Sequence, residues 1–557
     1  MKRFAYLWAA RAAAAVMGVL AISSGARGQD RPVVSARPGE RTFRPLPPAT
    51  QGGIRLSLDE AVGLAVANNQ DLNVTVNVAE ASRWSLFSNQ GIYDPLLQAA
   101  LTRSHSESPA TSTLAGATVP RSDVFDFSGS VQQLAPTGGV FSLGFTGRSL
   151  RTNSTFSSVN PSRTGTLTFS LNQPLLRSFG HRATNWLIYI ARNSRDASYQ
   201  DFVRSVQTTI NSVEQAYWDL VYNIQNAEVK RESLRIAQDL NRITRIKIDV
   251  GSLAPIDITQ TEVGIATAEQ DIITAEGLIG DAQDSLKRLI NFDTSQWNTP
   301  IIPTDQVRME EAKIDLSEGM KEALVRRPEV IRQAYSADSD HLRYDYYSNQ
   351  VLPSLNLVGS YGTIGLGGTF FVQDPTDPTG RRLIPVATRT FGDAYSDVFA
   401  NKNKNWSVGL TFSYPLFNRA ARGARAASRY TWESAKAQLT TTEQNVLIEV
   451  RSAARALETA RRSIVAAQKG RELAEKNLDA EKKKFDNGMT TSFQVTQIQR
   501  DLSAARTSEL QALAVYRKAL ASYHYAVADN LDWKGIRVEG IPDTTPPEAA
   551  PRAERKP

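Results

Sequence analysis

Two hydrophobic periodicities take turns along this chain. Leu167, Phe169 and Leu171 alternate with Thr166, Thr168, Ser170 and Asn172, and Val408, Leu410 and Phe412 alternate with Ser407, Gly409, Thr411 and Ser413. Each segment therefore reads as a strand with one apolar and one polar face. Leu355, Leu357 and Tyr361, set between Ser354, Asn356 and Ser360, repeat the pattern, and Leu97, Ala99 and Leu101 give a weaker version. The expected strands are 96–103, 164–173, 354–362 and 405–414. Phe125, Phe127 and Val131, then Phe141, Leu143 and Phe145, make an extra hairpin a candidate over 124–148, with Asp126, Ser128, Ser130, Ser142 and Thr146 on the opposite faces.

The second periodicity is helical. From Arg182 to Asp249 and from Arg419 to Asp486 there is no proline, and glycine is confined to Gly423 and Gly470. A helix of that length reaches about 100 Å at 1.5 Å per residue. No globular core needs such a rod, so it must pack along neighbours as a coiled coil or helical wall, and abundant Ala, Gln, Arg and Glu are good helix formers for it. The spans expected are 183–249 and 420–486, with shorter helices returning over 256–290 and 492–529. The turns between them, Val250 to Pro255 and Asn487 to Thr491, carry Gly251 and Gly488 at their tips.

The two halves are copies of one plan. Ser57-Leu58-Asp59-Glu60-Ala61 recurs as Asp315-Leu316-Ser317-Glu318-Gly319, 258 residues on, and in each a cap residue precedes a Glu at the third helical position, a capping-box signature. The same offset carries Pro95 onto Pro353. Gln173-Pro174-Leu175-Leu176 then matches Tyr414-Pro415-Leu416-Phe417 at 241, so the first copy holds 17 extra residues between its prolines. Pro95, Pro174, Pro353 and Pro415 are the expected strand–helix junctions. Asp249-x-Gly251 falls on Asp486-x-Gly488 at 237, and so do Ala268, Ala275 and Ala282 on Ala505, Ala512 and Ala519. Small residues every seven positions mark a seam where helix backbones approach closely.

A soluble sheet explains any single strand of this kind. Taken together, the strands are nearly long enough to cross a bilayer when tilted, their polar faces are small and mostly uncharged, and aromatics gather near their ends at Trp406, Tyr414, Phe417, Phe370 and Phe371, as interfacial girdles do. Lys2 and Arg3 followed by an apolar run to Ile22 and then Ser24-Gly25-Ala26 read as a secretory signal. Beyond it, no segment is apolar enough to be a spanning helix, so any membrane passage must use strands.

Composition removes other classes. Lys+Arg exceeds Asp+Glu by 64 − 57 = +7, with both signs interspersed, so nucleic-acid binding is not indicated. There is no cysteine, which excludes disulfides, thiolate metal sites and cysteine nucleophiles. His105, His181, His341 and His524 lack paired metal-ligand spacing. Gly365-x-Gly367-Gly368 is not followed by a helix pattern that would make it a phosphate loop. No catalytic constellation and no cofactor motif emerges, and the chain reads as a non-enzyme.

Four to six strands cannot close around water, since single-chain barrels begin at about eight, and an open edge in lipid is costly. Several copies must share one barrel, the polar strand faces lining a lumen and the apolar faces meeting lipid. The duplicated order of capped short helix, helix, proline, strand pair, proline, very long helix, glycine turn and returning helix, from about Leu56 to Asp532, resembles the TolC-type outer membrane efflux proteins. The resemblance implies a mostly α fold with membrane β: a homotrimer whose twelve-stranded outer-membrane barrel continues into a long periplasmic α-helical barrel. It further implies docking to a periplasmic adaptor (membrane fusion) protein and an inner-membrane transporter of RND or ABC type, as the passive duct of a tripartite efflux or type I secretion system. The rival from another class is a soluble periplasmic coiled-coil scaffold or adaptor.

Two departures from the family pattern stand out. The hairpin over 124–148 is either a surface or plug-like element or an enlargement of the barrel. In the family, acids six and nine positions after the turn glycine charge the periplasmic aperture. Here Asp257 and Gln260 follow Gly251, while Gln494 and Gln497 follow Gly488, and Thr490 replaces a basic residue. Asp257 is therefore the expected charged aperture residue, with Gln494, Gln497 and Thr490 as neutral neighbours; a helix-start carboxylate favoured by the macrodipole is the simpler reading of Asp257. Lys482, Lys483 and Lys484 suit either an acidic partner or the end of a helix dipole. The organisation expected is a signal peptide over 1–26, a Pro-rich linker over 27–52, repeats over 53–292 and 313–532 joined by a linker over 293–312, and a disordered tail over 533–557.

Overall fold

A computed structural model describes residues 52–110, 116–309, 315–376, 383–536 and 538. The signal peptide, nearly all of the Pro-rich linker, the end of the central linker and most of the tail expected from the sequence lie outside those residues.

In chain order the elements are β1 (Ile54–Leu56), α1 (Leu58–Asn68), α2 (Gln70–Gln90), β2 (Leu96–Glu107), β3 (Arg121–Leu134), β4 (Val140–Thr152), β5 (Val159–Pro174), α3 (His181–Asp249), α4 (Ile256–Leu289), β6 (Ile301–Pro303), α5 (Leu316–Arg326) and α6 (Pro328–Gln350). There follow β7 (Ser354–Gln373), β8 (Leu383–Arg389), α7 (Phe391–Phe399), β9 (Asn403–Ser413), α8 (Arg419–Asp486), α9 (Ser492–Val527) and α10 (Asn530–Trp533). Among the described residues the chain divides into two compact units, one built from 52–77, Asp201–Pro328 and 446–538, the other from Val78–Gln200 and Glu329–Asn445.

The first unit is helical. Its core joins Ile54 and Leu56 of β1, Ala61 and Leu64 of α1, Ile210, Tyr217 and Leu220 of α3, and Leu286 and Ile290 at the end of α4. β1 pairs with β6 in parallel, Ile54 opposite Ile301; three-residue strands of this kind leave no periodic trace and were not foreseen. The one Tyr217 hydroxyl proton lies between two acceptors, Asp305 Oδ2 at 2.6 Å and the Leu56 carbonyl at 3.0 Å. Burial, reinforced by the Asp305 carboxylate, pushes its pKa well up. A second cluster near the helix turns gathers Leu240, Leu478, Phe485, Val495, Ile498 and Leu502.

The duplication extends to the caps. Ser57 and Glu60 form the full capping box of α1, and the Asp315 carboxylate accepts from the N–H groups of Ser317 and Glu318 to cap α5. One residue beyond each short helix stands a side chain that reaches the end of its own repeat's returning helix. Asn69 Nδ2 donates to the Leu289 carbonyl at 2.8 Å, and Arg327 donates to the carbonyls of Tyr525 and Ala526 at 3.3 and 3.5 Å. Asn69 plus 258 is Arg327, and Leu289 plus 237 is Ala526, so the two bonds are the same joint in two copies. Just past each returning helix the backbone turns left-handed, at Asn291 (φ 52°) and at its counterpart Ala528 (φ 65°). Asn tolerates that region, whereas a methyl there costs about 1–2 kcal/mol. Ala528→Gly is therefore expected to stabilise the fold by up to ~1 kcal/mol, read as a rise in the midpoint of thermal loss of helical circular dichroism. A lower midpoint would show that the buried Ala528 methyl contributes more than the strain removes.

The alanine seam is occupied unevenly: Ala275 and Ala282 of α4 are buried, while Ala505, Ala512 and Ala519 of α9 are half-buried. At Gly264 of α4 an added Cβ would meet Thr496 of α9 at 3.3 Å, which is the close backbone approach that small residues allow.

The second unit carries one antiparallel sheet in the order β2-β3-β4-β5-β7, with β9 and β8 both pairing the far edge of β7. β9 runs beside Ser354–Ile364 and β8 beside Gly368–Gln373. The hairpin expected over 124–148 is β3 and β4, and it lies within the sheet between β2 and β5.

Candidate functional site

The register places the alternating apolar positions of six strands on one face. Leu97, Val131, Leu143, Phe169, Tyr361 and Trp406 form one continuous row across six strands. Rows of this kind run from Leu355 and Phe412 at the helix-proximal end to Leu101, Phe127 and Gly365. Ten residues of strand rise about 33 Å, or about 25 Å once tilted as barrel strands are, close to the apolar band of an outer-membrane barrel. Beyond it the same face turns charged, with Arg103, Arg163, Arg151 and Asp123. The opposite face is mainly Ser, Thr, Asn and Gln, interrupted by Leu96, Val140, Val358 and Ile364, and its one close pair of opposite charges among the described residues, Arg148 and Asp126 at 3.8 Å, is self-neutralising.

α7 lies on the apolar face, and glycines make room for it. Gly147, Gly165 and Gly365 are consecutive partners across β4, β5 and β7. A Cβ at Gly365 would stand 1.8 Å from the Ala394 carbonyl oxygen, and one at Gly165 would stand 2.4 Å from the Tyr395 ring. Tyr395 fills this notch between Phe127 and Phe145, and the Arg163 guanidinium covers Phe391. Thr390 and Asp393 form a capping box, while Arg389 and Lys402 both clasp Asp397. Of Gly365-x-Gly367-Gly368, which lacked the helix pattern of a phosphate loop, Gly365 and Gly367 thus lie against α7 and its Thr390 cap, while Gly368 meets Pro161. That helix was missed, although Thr390-x-x-Asp393 ahead of Ala394 and Val398 was its available signal.

The sequence-chosen prolines stand where strands meet helices: Pro95 and Pro353 directly precede β2 and β7, Pro174 ends β5, and Pro415 follows β9. Gly251 and Gly488 both turn left-handed, φ 76° and 74°, with open space around them, so conformation rather than crowding calls for glycine.

Around the two turns the chain ties its copies together. Asp257 Oδ1 accepts from Ser492 Oγ at 2.7 Å, and Lys247 Nζ donates to the Phe485 carbonyl at 2.5 Å. Ser492 is fully buried and was not singled out; its place beside the Thr491 cap of α9 was the only sequence cue. Thr490 donates to Glu481 at 2.6 Å; that bond and the Lys484 ammonium hold the Glu481 carboxyl below its ordinary pKa range. Gln494 and Gln497 are exposed, and Gln497 donates to Asp501 at 3.3 Å. Lys483 and Lys484 pair within α8, with Asp479 and Glu481.

The histidines take separate roles: His105 bonds Asp123 and Glu107, His181 bonds Tyr189, His341 packs on Trp432, and His524 pairs with Asp529 and stacks on Trp533. Among the described residues no cluster of three or more His, Asp or Glu is placed to hold a metal.

The family model for outer membrane efflux proteins matches residues 140–291 and 319–522, one stretch in each repeat and more than half of the chain. The chain belongs to the outer membrane efflux protein family. Within that family it is 22% identical over 357 residues to the outer membrane efflux protein BepC of Brucella suis biovar 1, covering 63% of this chain and 69% of that one. Among solved structures it is similar to the outer-membrane channel OprN (TM-score 0.63, 14% identity, 86% of this chain and 90% of that one). It is also similar to the CmeC outer membrane channel of Campylobacter jejuni (TM-score 0.60, 15% identity, 85% and 86%). The mostly α, duplicated fold with a strand sheet is thus that of the TolC-like outer-membrane channels, and the family is one of efflux ducts rather than enzymes.

Proposed function

We propose that this efflux-family chain is the outer-membrane duct subunit of a tripartite efflux or type I secretion system. Three copies close a barrel in the outer membrane, and their long helices extend into the periplasm toward an adaptor protein and an RND or ABC type inner-membrane transporter. Substrates pass through it passively. The observation that carries this reading is the two-faced sheet with unpaired edges: its apolar band has the height of a bilayer, and its other face is mainly polar and almost uncharged. Backbone groups left unpaired in lipid cost several kcal/mol each, which a sister copy removes. Fractionation and gel migration test it. Outer-membrane recovery with a band near three chain masses that collapses on boiling is expected; a detergent-free soluble monomer would instead favour a periplasmic scaffold.

Asp257 supports a charged entrance in this reading. It opens α4 beside the turn and is held by Ser492, so three copies place three carboxylates around the inner mouth, with Gln494, Gln497 and Thr490 nearby as neutral groups. Rings of carboxylates favour cations. Asp257→Ala channels in planar bilayers are expected to lose about half or more of their cation preference, read from the reversal potential across a salt gradient. An unchanged reversal potential sinks the aperture role while leaving the duct reading intact.

A further inference from the structure

We propose that the hairpin β3–β4 is part of the barrel wall, so that each copy adds six strands and three copies close an eighteen-strand barrel in which β2 of one copy seals against β9 of the next. The inference rests on the three-copy reading above and concerns what each copy brings to it.

Four observations carry it. First, β3 is paired along the whole of β2 and β4 along most of β5, so the hairpin is neither a flap nor a plug. Second, its residues keep the two faces of the sheet, Phe125, Phe127, Phe141 and Leu143 continuing the apolar side. Third, the strand ends climb steadily. Tracing partners across the sheet, Ser413 of β9 is level with Ser354, Pro174 of β5 with Asn356, Val140 and Leu134 of the hairpin with Val358, and Leu96 of β2 with Ser360. The shift is 360 − 354 = 6 residues over the five steps between six strands, just over one per step. With about 3.3 Å of rise against about 4.8 Å of strand spacing, that slope is about 40°, the tilt of closed barrels. The hairpin shares the slope, as wall strands must.

Fourth, the two free edges match. Every residue of β2 and of β9 is exposed, including Leu101 at 77% and Phe412 at 67%. β2 runs away from the helices and β9 runs back toward them, so setting one beside the other continues the antiparallel order. A second copy of the chain is therefore the occupant of each edge. Because barrel diameter grows roughly linearly with strand number, eighteen strands make an opening about half again as wide as twelve. Its lining of hydroxyl and amide groups suits bulky hydrophilic cargo that is not selected by charge.

The chain has no cysteine, so introduced cysteines report only on themselves. Lumen-side positions of β2 (Gln98→Cys, Ala100→Cys, Thr102→Cys) are combined with those of β9 (Ser407→Cys, Gly409→Cys, Thr411→Cys) and oxidised in outer membranes. At least one combination is expected to form a cross-linked ladder ending at three chains. Thr168→Cys in β5 with Gly409→Cys is expected to form none; if it cross-links between copies and the β2 combinations do not, the hairpin lies outside the wall and the proposal is overturned. A ladder ending elsewhere than three overturns the three-copy reading and the count of eighteen, whereas the β2–β9 links themselves still support six strands per copy.

Width is tested separately. Leu97 lies in the row of Phe169 and Leu101 in that of Gly165, so an Asn-Gly turn replacing residues 108–158 brings Glu107 opposite Val159 with register and polarity kept. End-on electron-microscopic averages of this shortened protein are expected to show a barrel about one third narrower. An assembled barrel of unchanged width overturns the proposal; if the variant fails to assemble, the cross-link scan on the full-length chain decides.

Discussion

Arg327→Ala is expected to lower the stability of the helical unit by about 3 kcal/mol or more, because the residue is a buried cation with several partners. Its side chain is 4% exposed. It bonds Glu449, reaches the Tyr525 and Ala526 carbonyls, and lies over the Tyr525 ring at 5.3 Å. Those carbonyls end α9, where backbone acceptors lack helical partners and a cation complements the dipole. Truncation strips the last turn of α9 and opens a void at the joint of α5 and α6. Lysine restores charge but not the fork that spans two carbonyls and a carboxylate, so Arg327→Lys is expected to recover less than half of the loss. Thermal midpoints of the detergent-solubilised protein, with hydrogen exchange of amides near Val527, check both. Unchanged exchange in Arg327→Ala would refute the joint. The first repeat makes the same joint with neutral Asn69, so Asn69→Ala should have the smaller effect, about 1–2 kcal/mol for a buried hydrogen bond.

The second large effect lies at Glu214. This residue of α3 is 1% exposed, and Lys534 Nζ, 2.8 Å away, is its ion-pair partner; Lys534 also reaches Asp59 at 3.3 Å. Burial raises the Glu214 carboxyl above the ordinary carboxylate range, against the pull of Lys534. The folded chain then holds a proton that the unfolded chain has released. Its contribution to stability is full below the unfolded pKa and is lost as pH rises through the raised folded one. Glu214→Gln is expected to remove that loss, so its stability relative to the parent should improve as pH rises across this window. Lys534→Met leaves the carboxylate buried without its cation, and a fall of about 3–5 kcal/mol at neutral pH is expected, shrinking in acid. Melting midpoints from pH 4 to 8 read both variants; parallel curves for Glu214→Gln and the parent would refute the assignment.

How much was legible in the sequence depended on what each element needs from distant residues. The long helices need almost nothing: a span without proline, rich in helix formers, fixes itself, and α3 begins at His181 and α8 at Arg419, within two residues of the expected starts. Strands were visible through their two-residue alternation, but their ends were not. β2 continues to Glu107 and β7 to Gln373 through polar or glycine-rich stretches, because β3, β5 and β8 supply backbone partners that no local pattern announces. The place of the hairpin was open for the same reason, since only its pairing on both sides puts it inside the sheet. α7 stayed hidden because nine residues carry little periodicity, and the purpose of Gly165 and Gly365 appears only once something lies on them. Near the turns, Asp257 was a candidate only through the family resemblance, six positions after Gly251, whereas its hydrogen-bond partner Ser492 comes from the other repeat, 235 residues away.

The in-sheet hairpin has a consequence for how such walls change size. An antiparallel ring tolerates only even edits: one strand more would bring two parallel neighbours together at a seam and point the following helix the wrong way. Growth within a repeated chain therefore comes in whole up-and-down pairs, multiplied by the number of sister chains. Girth is a stepped quantity for these pores, fixed by parity, and a loop at a strand tip is the place where the next step can start.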